Sequence, residues 1–500
     1  METLVSAFKT AIDASPAGVA VVYEDQNISF ADLDELSDGL ARTLVARGIK
    51  PGDRVALLDR NSLWFFVILF AVMKARAVLV TVNFRLAPPE VDFIVQDSTS
   101  KLLFVGDTFV QTLSTSTKEY LNTIVIDTLD RAQLLDAAPE TTLQAGLEED
   151  AAVQMYTSGT TGLPKGVVLS HRAMVKAAIA GHAVWPFLDE PGASVLATMP
   201  LFHIAACNLG LAALLKSARV DIVNQTDPTF VADWLSQHQN SLVPLPAAVI
   251  HGMLELEDIA ARDFSALRTM LVAGSGIAEE LIKRATETFD CGFALSYGST
   301  ETCGGITYLG PQECIQGAGK RLTSAGKVMA PSRIEIQRPD GSQCLANEVG
   351  EIVCFSDRLM DQYWGRPEDT QQAFAGGGYH SGDAGCLDED GYLFVVDRIK
   401  DMVISGGENI YPAQIEQVFY THPDVLDAAV IGVPDPRWGE ALLACLVLRD
   451  GATLDESAMI DFLRPSLAGY KIPRAYRQLP ALPRNATGKV LKTALRELFT

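Results

Sequence analysis

Five hundred residues exceed what one ordinary core organises, so two or more domains are expected. Apolar residues at 48% and charged residues at 20% suit a globular enzyme rather than a fibrous or disordered chain. A formal charge of −22 ranks nucleic acid and anionic lipid low as partners, and an anionic substrate would need a locally positive pocket.

Leu33, Leu36, Leu40 and Leu44 recur at helical spacing, and Gly48 closes the pattern. Pro51-Gly52-Asp53 predicts a turn into a buried strand at Val55-Ala56-Leu57-Leu58. Leu63 to Met73 is the most apolar run; it is too short to span a bilayer and predicts a buried helix. Apolar runs at Val78–Val82, Leu102–Val105, Val195–Met199 and Met270–Val272 alternate with helical stretches, which predicts an α/β protein with largely buried sheets. The character changes near Asp397. Beyond it, helices at Pro412–Tyr420 and Glu456–Leu463 and strands at Ala428–Gly432 and Ala444–Val447 are enough for a small α+β domain.

Eight cysteines are scattered without a CxxC pair, so neither a zinc site nor a redox dithiol is signalled. Met1-Glu2-Thr3 lacks the basic start of a secretory signal. Reduced, mostly buried thiols in a cytoplasmic protein are the expectation.

The segment from Tyr156 to Gly166 carries the most chemistry. After a predicted strand at Ala152–Met155 come Thr157, Ser158, Gly159, Thr160, Thr161, Gly162 and then Lys165. Glycines let backbone N–H groups converge on an anion, hydroxyls add donors, and lysine supplies a full charge. Gly166 follows Lys165 where a P-loop would place Ser or Thr, so a P-loop NTPase is disfavoured. Ser170 is the N-cap candidate of the next helix, which His171 opens. His203 stands in Leu201-Phe202-His203-Ile204-Ala205. By itself a lone histidine between apolar residues reads as core.

In that order the segments Tyr156–Gly166, Tyr297-Gly298-Ser299-Thr300-Glu301, Tyr379-His380-Ser381-Gly382-Asp383, Asp397–Ile410 and Pro483–Lys489 resemble the signature motifs of the adenylate-forming superfamily. That superfamily holds acyl-CoA synthetases, luciferases and peptide-synthetase adenylation domains. The resemblance runs over essentially the whole chain, and bacterial fatty acyl-CoA synthetases are nearest. It implies a large N-terminal α/β domain of mixed sheets, residues 1–397, and a small mobile α+β domain, residues 398–500.

The resemblance also implies roles. Thr157, Ser158, Gly159, Thr160, Thr161 and Lys165 would cradle the phosphates of ATP. Gly274, Ser275 and Ser296 would line the adenine side, and Tyr297 would stack on the base. Thr300 would contact phosphate and Glu301 would hold Mg²⁺, for which a carboxylate is a suitably hard ligand. Asp383 would accept both ribose hydroxyls, and Arg398 would contact the ribose. Lys400 aligns with the hinge. Gly406 and Gly407 would let the pantetheine arm of coenzyme A pass close to the backbone. Lys489 would bridge the acid's carboxylate and the α-phosphate, and His203 would lie beside that carboxylate.

One departure and two contrasts with other branches matter. Gly378 stands where the family usually has tryptophan, which bears on tunnel gating in fatty-acid members. Gly406 stands where luciferases carry lysine, and no Asp near His203 awaits an amino-acid ammonium group. The expected activity is AMP-forming acid–CoA ligation of a medium- or long-chain fatty acid. Alternatives are an aryl acid, suggested equally by the small residues Cys303-Gly304-Gly305, or loading of a carrier protein. A nucleotide-binding regulator without catalysis is disfavoured by the intact motifs. A homodimer is compatible with the sequence.

Overall fold

The structure is a computed structural model that describes residues 2–135, 141–157, 163–272, 279–316, 320–405, 408–485 and 488–499. The chain divides into two compact units, residues 1–333 with 354–379, and residues 334–353 with 380–500.

The larger unit contains two seven-stranded sheets. One runs Gly292–Leu295, Thr269–Val272, Leu242–Leu245, Ser194–Ala197, Arg219–Ile222, Val19–Tyr23 and Gln26–Ser29. It is parallel until the last pair, which is a hairpin. The other runs Gln362–Tyr363, Lys165–Ser170, Ala151–Thr157, Val78–Val82, Arg54–Leu58, Leu102–Val105 and Asn122–Val125. Its central strands are covered on both faces, which is why Val78–Val82 and Leu102–Val105 read as unbroken apolar runs rather than as alternation.

Local signals explain the helices. Ser29 and Asp32 form a reciprocal capping box at the head of Phe30–Ala46, and Leu33, Leu36, Leu40 and Leu44 all point inward. Gly48 follows at φ +90°, a left-handed value that side chains resist. Helix Trp64–Lys74 is buried from Phe65 onward. Its terminal Lys74 ammonium is enclosed but paired with Asp34 and Asp38, both at 2.6 Å. Among the described residues, no helix is long and apolar enough to cross a membrane.

The smaller unit holds a four-stranded sheet, Arg333–Gln337, Gly350–Phe355, Tyr379–Leu387 and Leu393–Arg398, whose outermost residues at some strand ends fall in the larger unit. A five-stranded sheet follows, led by the long pair Val425–Asp435 and Gly439–Leu448. Both faces of that pair are buried. Ala428 and Val430 join a cluster with Ile415, Phe419 and Tyr476, while Ala429 and Ile431 join Leu482 and Leu495 on the other side.

Candidate active site

The Glu301 carboxylate is the focus of the larger unit. Thr302 folds the segment before it, accepting from Ser299 N at 2.8 Å and donating to Gly304 O at 2.7 Å. Gly298 and Gly305 face each other across a two-residue ribbon. A Cβ on Gly298 would lie 2.1 Å from Gly304 O, so only glycine fits that approach. Glu301 is 8% exposed, and Met360 N donates to its backbone carbonyl at 2.8 Å.

Three hydroxyl groups surround this buried acid. Tyr363 donates to Glu301 Oε1 at 3.0 Å, and Thr157 Oγ1 lies 3.5 Å from the same oxygen. Tyr379 is the third; burial and the nearby Glu301 charge push its phenol well above the usual range. The Lys165 ammonium sits 5.1 Å from the Tyr363 ring centroid and pairs with Asp369 at 2.9 Å. Thr157 and Lys165 are directly opposite each other on two antiparallel strands, at either end of the hydroxyl-rich segment.

Two further candidates join this side. Tyr297 N donates to Thr307 Oγ1 at 3.1 Å, and Ser296 Oγ donates to Thr307 O at 2.7 Å, which fixes both at the mouth of the ribbon. Thr300 O accepts from Cys303 N at 3.0 Å. His203 occupies the N-cap position of helix Ile204–Leu214, its ring 4.3 Å from that of Phe202. The same helix reaches the Glu301 segment through Asn208, which donates to Cys303 O at 2.7 Å. Thr157, Lys165, Thr300 and Glu301, with Tyr297, Ser296 and His203 on adjoining segments, therefore belong to one region of the larger unit.

Asp383 and Arg398 are brought together in the smaller unit. They are opposite residues of neighbouring strands, and Arg398 Nε lies 2.8 Å from Asp383 Oδ1. Ser381 supports them, accepting from Asp383 N at 3.1 Å and donating to Ile352 O at 2.7 Å. His380 bonds Glu351 at 2.8 Å just before this pair. Lys400 is exposed in the short helix Ile399–Asp401, where Asp401 is anchored by Arg496 at 3.1 Å. Lys489 is also exposed; Asn485 N donates to Lys489 O and Lys489 N donates to Asn485 Oδ1, both at 2.9 Å. Ser158, Gly159, Thr160, Thr161, Gly274, Ser275, Gly406 and Gly407 lie outside the described residues.

Sequence reasoning missed several neighbours. Tyr363 and Asp369 had no motif to flag them. Trp438 was also missed: the Arg437 and Arg474 guanidiniums each lie 4.7 Å from its ring centroid, next to Gly439, which pairs with Ser405.

The sequence profile of the AMP-binding enzyme family matches residues 8–364, and that of the AMP-binding enzyme C-terminal domain matches residues 414–489. The chain belongs to the AMP-binding enzyme family. It is 35% identical, over all of its length and 97% of the relative's, to the fatty acid–[acyl-carrier-protein] ligase ScoC of Streptomyces coeruleorubidus. It is 36% identical to a feruloyl-CoA synthase of an Amycolatopsis species, over 97% of this chain and 96% of that one. Among solved structures, O-succinylbenzoate coenzyme A synthetase from Bacillus subtilis in complex with ATP and magnesium ion superposes with a TM-score of 0.88 at 31% identity, covering 98% of each chain.

Proposed function

We propose that this protein is an ATP-dependent, AMP-forming acid–CoA ligase. The observation that carries the reading is the buried Glu301 carboxylate, ringed by the hydroxyls of Thr157, Tyr363 and Tyr379, in a family member with its motifs intact. No cluster of three or more His, Cys, Asp or Glu that could hold a metal exists among the described residues. A lone carboxylate fits Mg²⁺, which is commonly held by one or two carboxylates with substrate phosphates and water. When bound, the ion would offset charge on the phosphate oxygens.

The protein's own task is to position and neutralise two anions. The acid's carboxylate oxygen attacks the α-phosphorus of ATP, pyrophosphate leaves, and an acyl-adenylate forms. Lys489 offsets the charge that builds between the two anions, with His203 beside the carboxylate. Thr157 to Lys165 hold the departing phosphates; Gly274, Ser275, Ser296 and Tyr297 hold the base; Asp383 and Arg398 hold the ribose. The coenzyme A sulfur then attacks the acyl carbon and AMP leaves. Residues 398–500 exchange the Lys489 wall for the Gly406–Gly407 wall by turning about Lys400 between the two steps. Trp438, with the Arg437 and Arg474 guanidiniums each 4.7 Å from its ring centroid, offers the aromatic surface and the positive charge that a phosphorylated nucleotide of coenzyme A requires. The enzyme acts in the cytoplasm, alone or as a homodimer.

The preferred substrate is a medium- or long-chain fatty acid. The feruloyl-CoA relative supports an aryl acid as the second reading, and the ScoC relative supports carrier-protein loading as the third. Pyrophosphate release should be followed with acetate, octanoate, palmitate, benzoate and coumarate, with and without coenzyme A, and the products weighed. An acyl-CoA product from the aliphatic acids is expected. Acyl-adenylate alone, indifferent to coenzyme A, would transfer the protein to the carrier-loading reading. Lys489→Ala should slow adenylation by roughly two to three orders of magnitude, the scale of losing one transition-state donor. It should spare thioester formation from supplied acyl-adenylate, and equal loss of both half-reactions would contradict the two-wall scheme.

A further inference from the structure

Lys165 is the cation of the hydroxyl-rich segment, yet its ammonium is already engaged. Asp369 Oδ1 lies 2.9 Å from Lys165 Nζ, and the lysine side chain is only 12% exposed. Asp369 comes from the first turn of helix Pro367–Ala373, more than two hundred positions along the chain. Its other oxygen, Oδ2, is 3.9 Å from Arg366 Nη1. Arg366 Nε is buried without a hydrogen-bond partner among the described residues. Asp369 therefore lies between two cations, one of them already paired and the other under-used.

We propose that Asp369 is a positioning residue that sets nucleotide affinity through Lys165, competing with the nucleotide's phosphates for its ammonium and turning toward Arg366 when they bind. The proposal rests on the reading of Lys165 as a phosphate ligand. Lysine has three donors and could touch both anions at once, but a carboxylate at 2.9 Å still cancels much of the charge offered to a phosphate. A nucleotide with few phosphates gains little from dislodging Asp369, whereas a triphosphate gains more. Asp369 thus lowers the affinity for any ligand whose phosphates reach Lys165 and leaves a phosphate-free nucleoside untouched. A carboxylate that turns to Arg366 also satisfies a guanidinium nitrogen that otherwise lacks a partner.

Binding of MgATP and of adenosine to the full chain should be measured by calorimetry for the wild type, Asp369→Asn, Asp369→Glu, Lys165→Ala and the Lys165→Ala/Asp369→Asn double variant. Asp369→Asn should tighten MgATP about threefold to tenfold, the scale of a partly exposed ion pair, and leave adenosine unchanged. Asp369→Glu keeps the charge and should bind MgATP as the wild type does, a control that Asp369→Asn acts through charge rather than through folding. In the Lys165→Ala background, Asp369→Asn should add nothing. Unchanged or weaker MgATP binding by Asp369→Asn overturns the proposal. If instead Lys165→Ala binds MgATP like the wild type, the assignment of Lys165 as a phosphate ligand has failed, and the competition falls with it.

Discussion

Glu301 depends on one phenol more than on any other side chain. Tyr363 Oη donates to it at 3.0 Å, closer than Thr157 Oγ1 at 3.5 Å, and the bond is buried. Tyr363→Phe should raise the Mg²⁺ concentration for half-maximal pyrophosphate release by roughly tenfold, since a hydrogen bond to a charged group contributes about 1.5–3 kcal/mol. The saturating rate should change far less, and a fall in rate without a shift in Mg²⁺ demand would remove Tyr363 from this role. Asp59 offers a separate test. Burial lifts its carboxyl from the ordinary 3.8 to about 6, although Arg60 N and Ser62 Oγ donate to it. The folded protein therefore holds that proton more tightly than the unfolded chain. The stability this confers is complete below about pH 4 and is lost as the pH rises through about 6. Asp59→Asn should outlast the wild type in urea above pH 7, by on the order of 2 kcal/mol, and lose that advantage near pH 4.

At the scale of elements, the ribbon of Gly298–Ser299 and Gly304–Gly305 is the most exacting piece. Gly298→Ala would drive a methyl group against the Gly304 carbonyl, and backbone cannot step aside as a side chain can. A stability loss of about 1–3 kcal/mol is expected, with weaker ATP binding because Tyr297 and Thr300 flank the same turn. Urea midpoints and nucleotide titration would check both. Regular elements were readable because period and punctuation are local. Val78–Val82, Leu102–Val105 and Glu456–Leu463 fall where their apolar patterns end, and Ser170 caps the helix opened by His171 by accepting from Ala173 N. Boundaries spread where pairing took over. The predicted strand Ala428–Gly432 extends to Val425–Asp435 because the partner strand Gly439–Leu448 continues to offer hydrogen bonds beyond the apolar stretch.

At the scale of the molecule, the motifs marked Thr157, Lys165, Glu301, Asp383 and Arg398, but the residues that hold them in place come from far along the chain. Tyr363 reaches Glu301 from 62 positions away, and Ile352 receives the Ser381 hydroxyl that steadies Asp383 from 29 positions away. No spacing rule announces such partners, because sheet order decides them. Residues 334–353 cluster with residues 380–500 for the same reason: strand Gly350–Phe355 lies beside Tyr379–Leu387. Nothing in its own composition says which neighbour it takes.

The burial of its cysteines gives the protein an unplanned labelling pattern. Six of the eight are buried, and burial pushes the thiols of Cys291, Cys303 and Cys314 up to about 12, far from the reactive thiolate. The two partly accessible ones, Cys344 and Cys386, both lie in the smaller compact unit. A maleimide dye added to the unmodified protein should therefore mark that unit alone, giving an optical reporter on one body of the molecule without a single engineered residue.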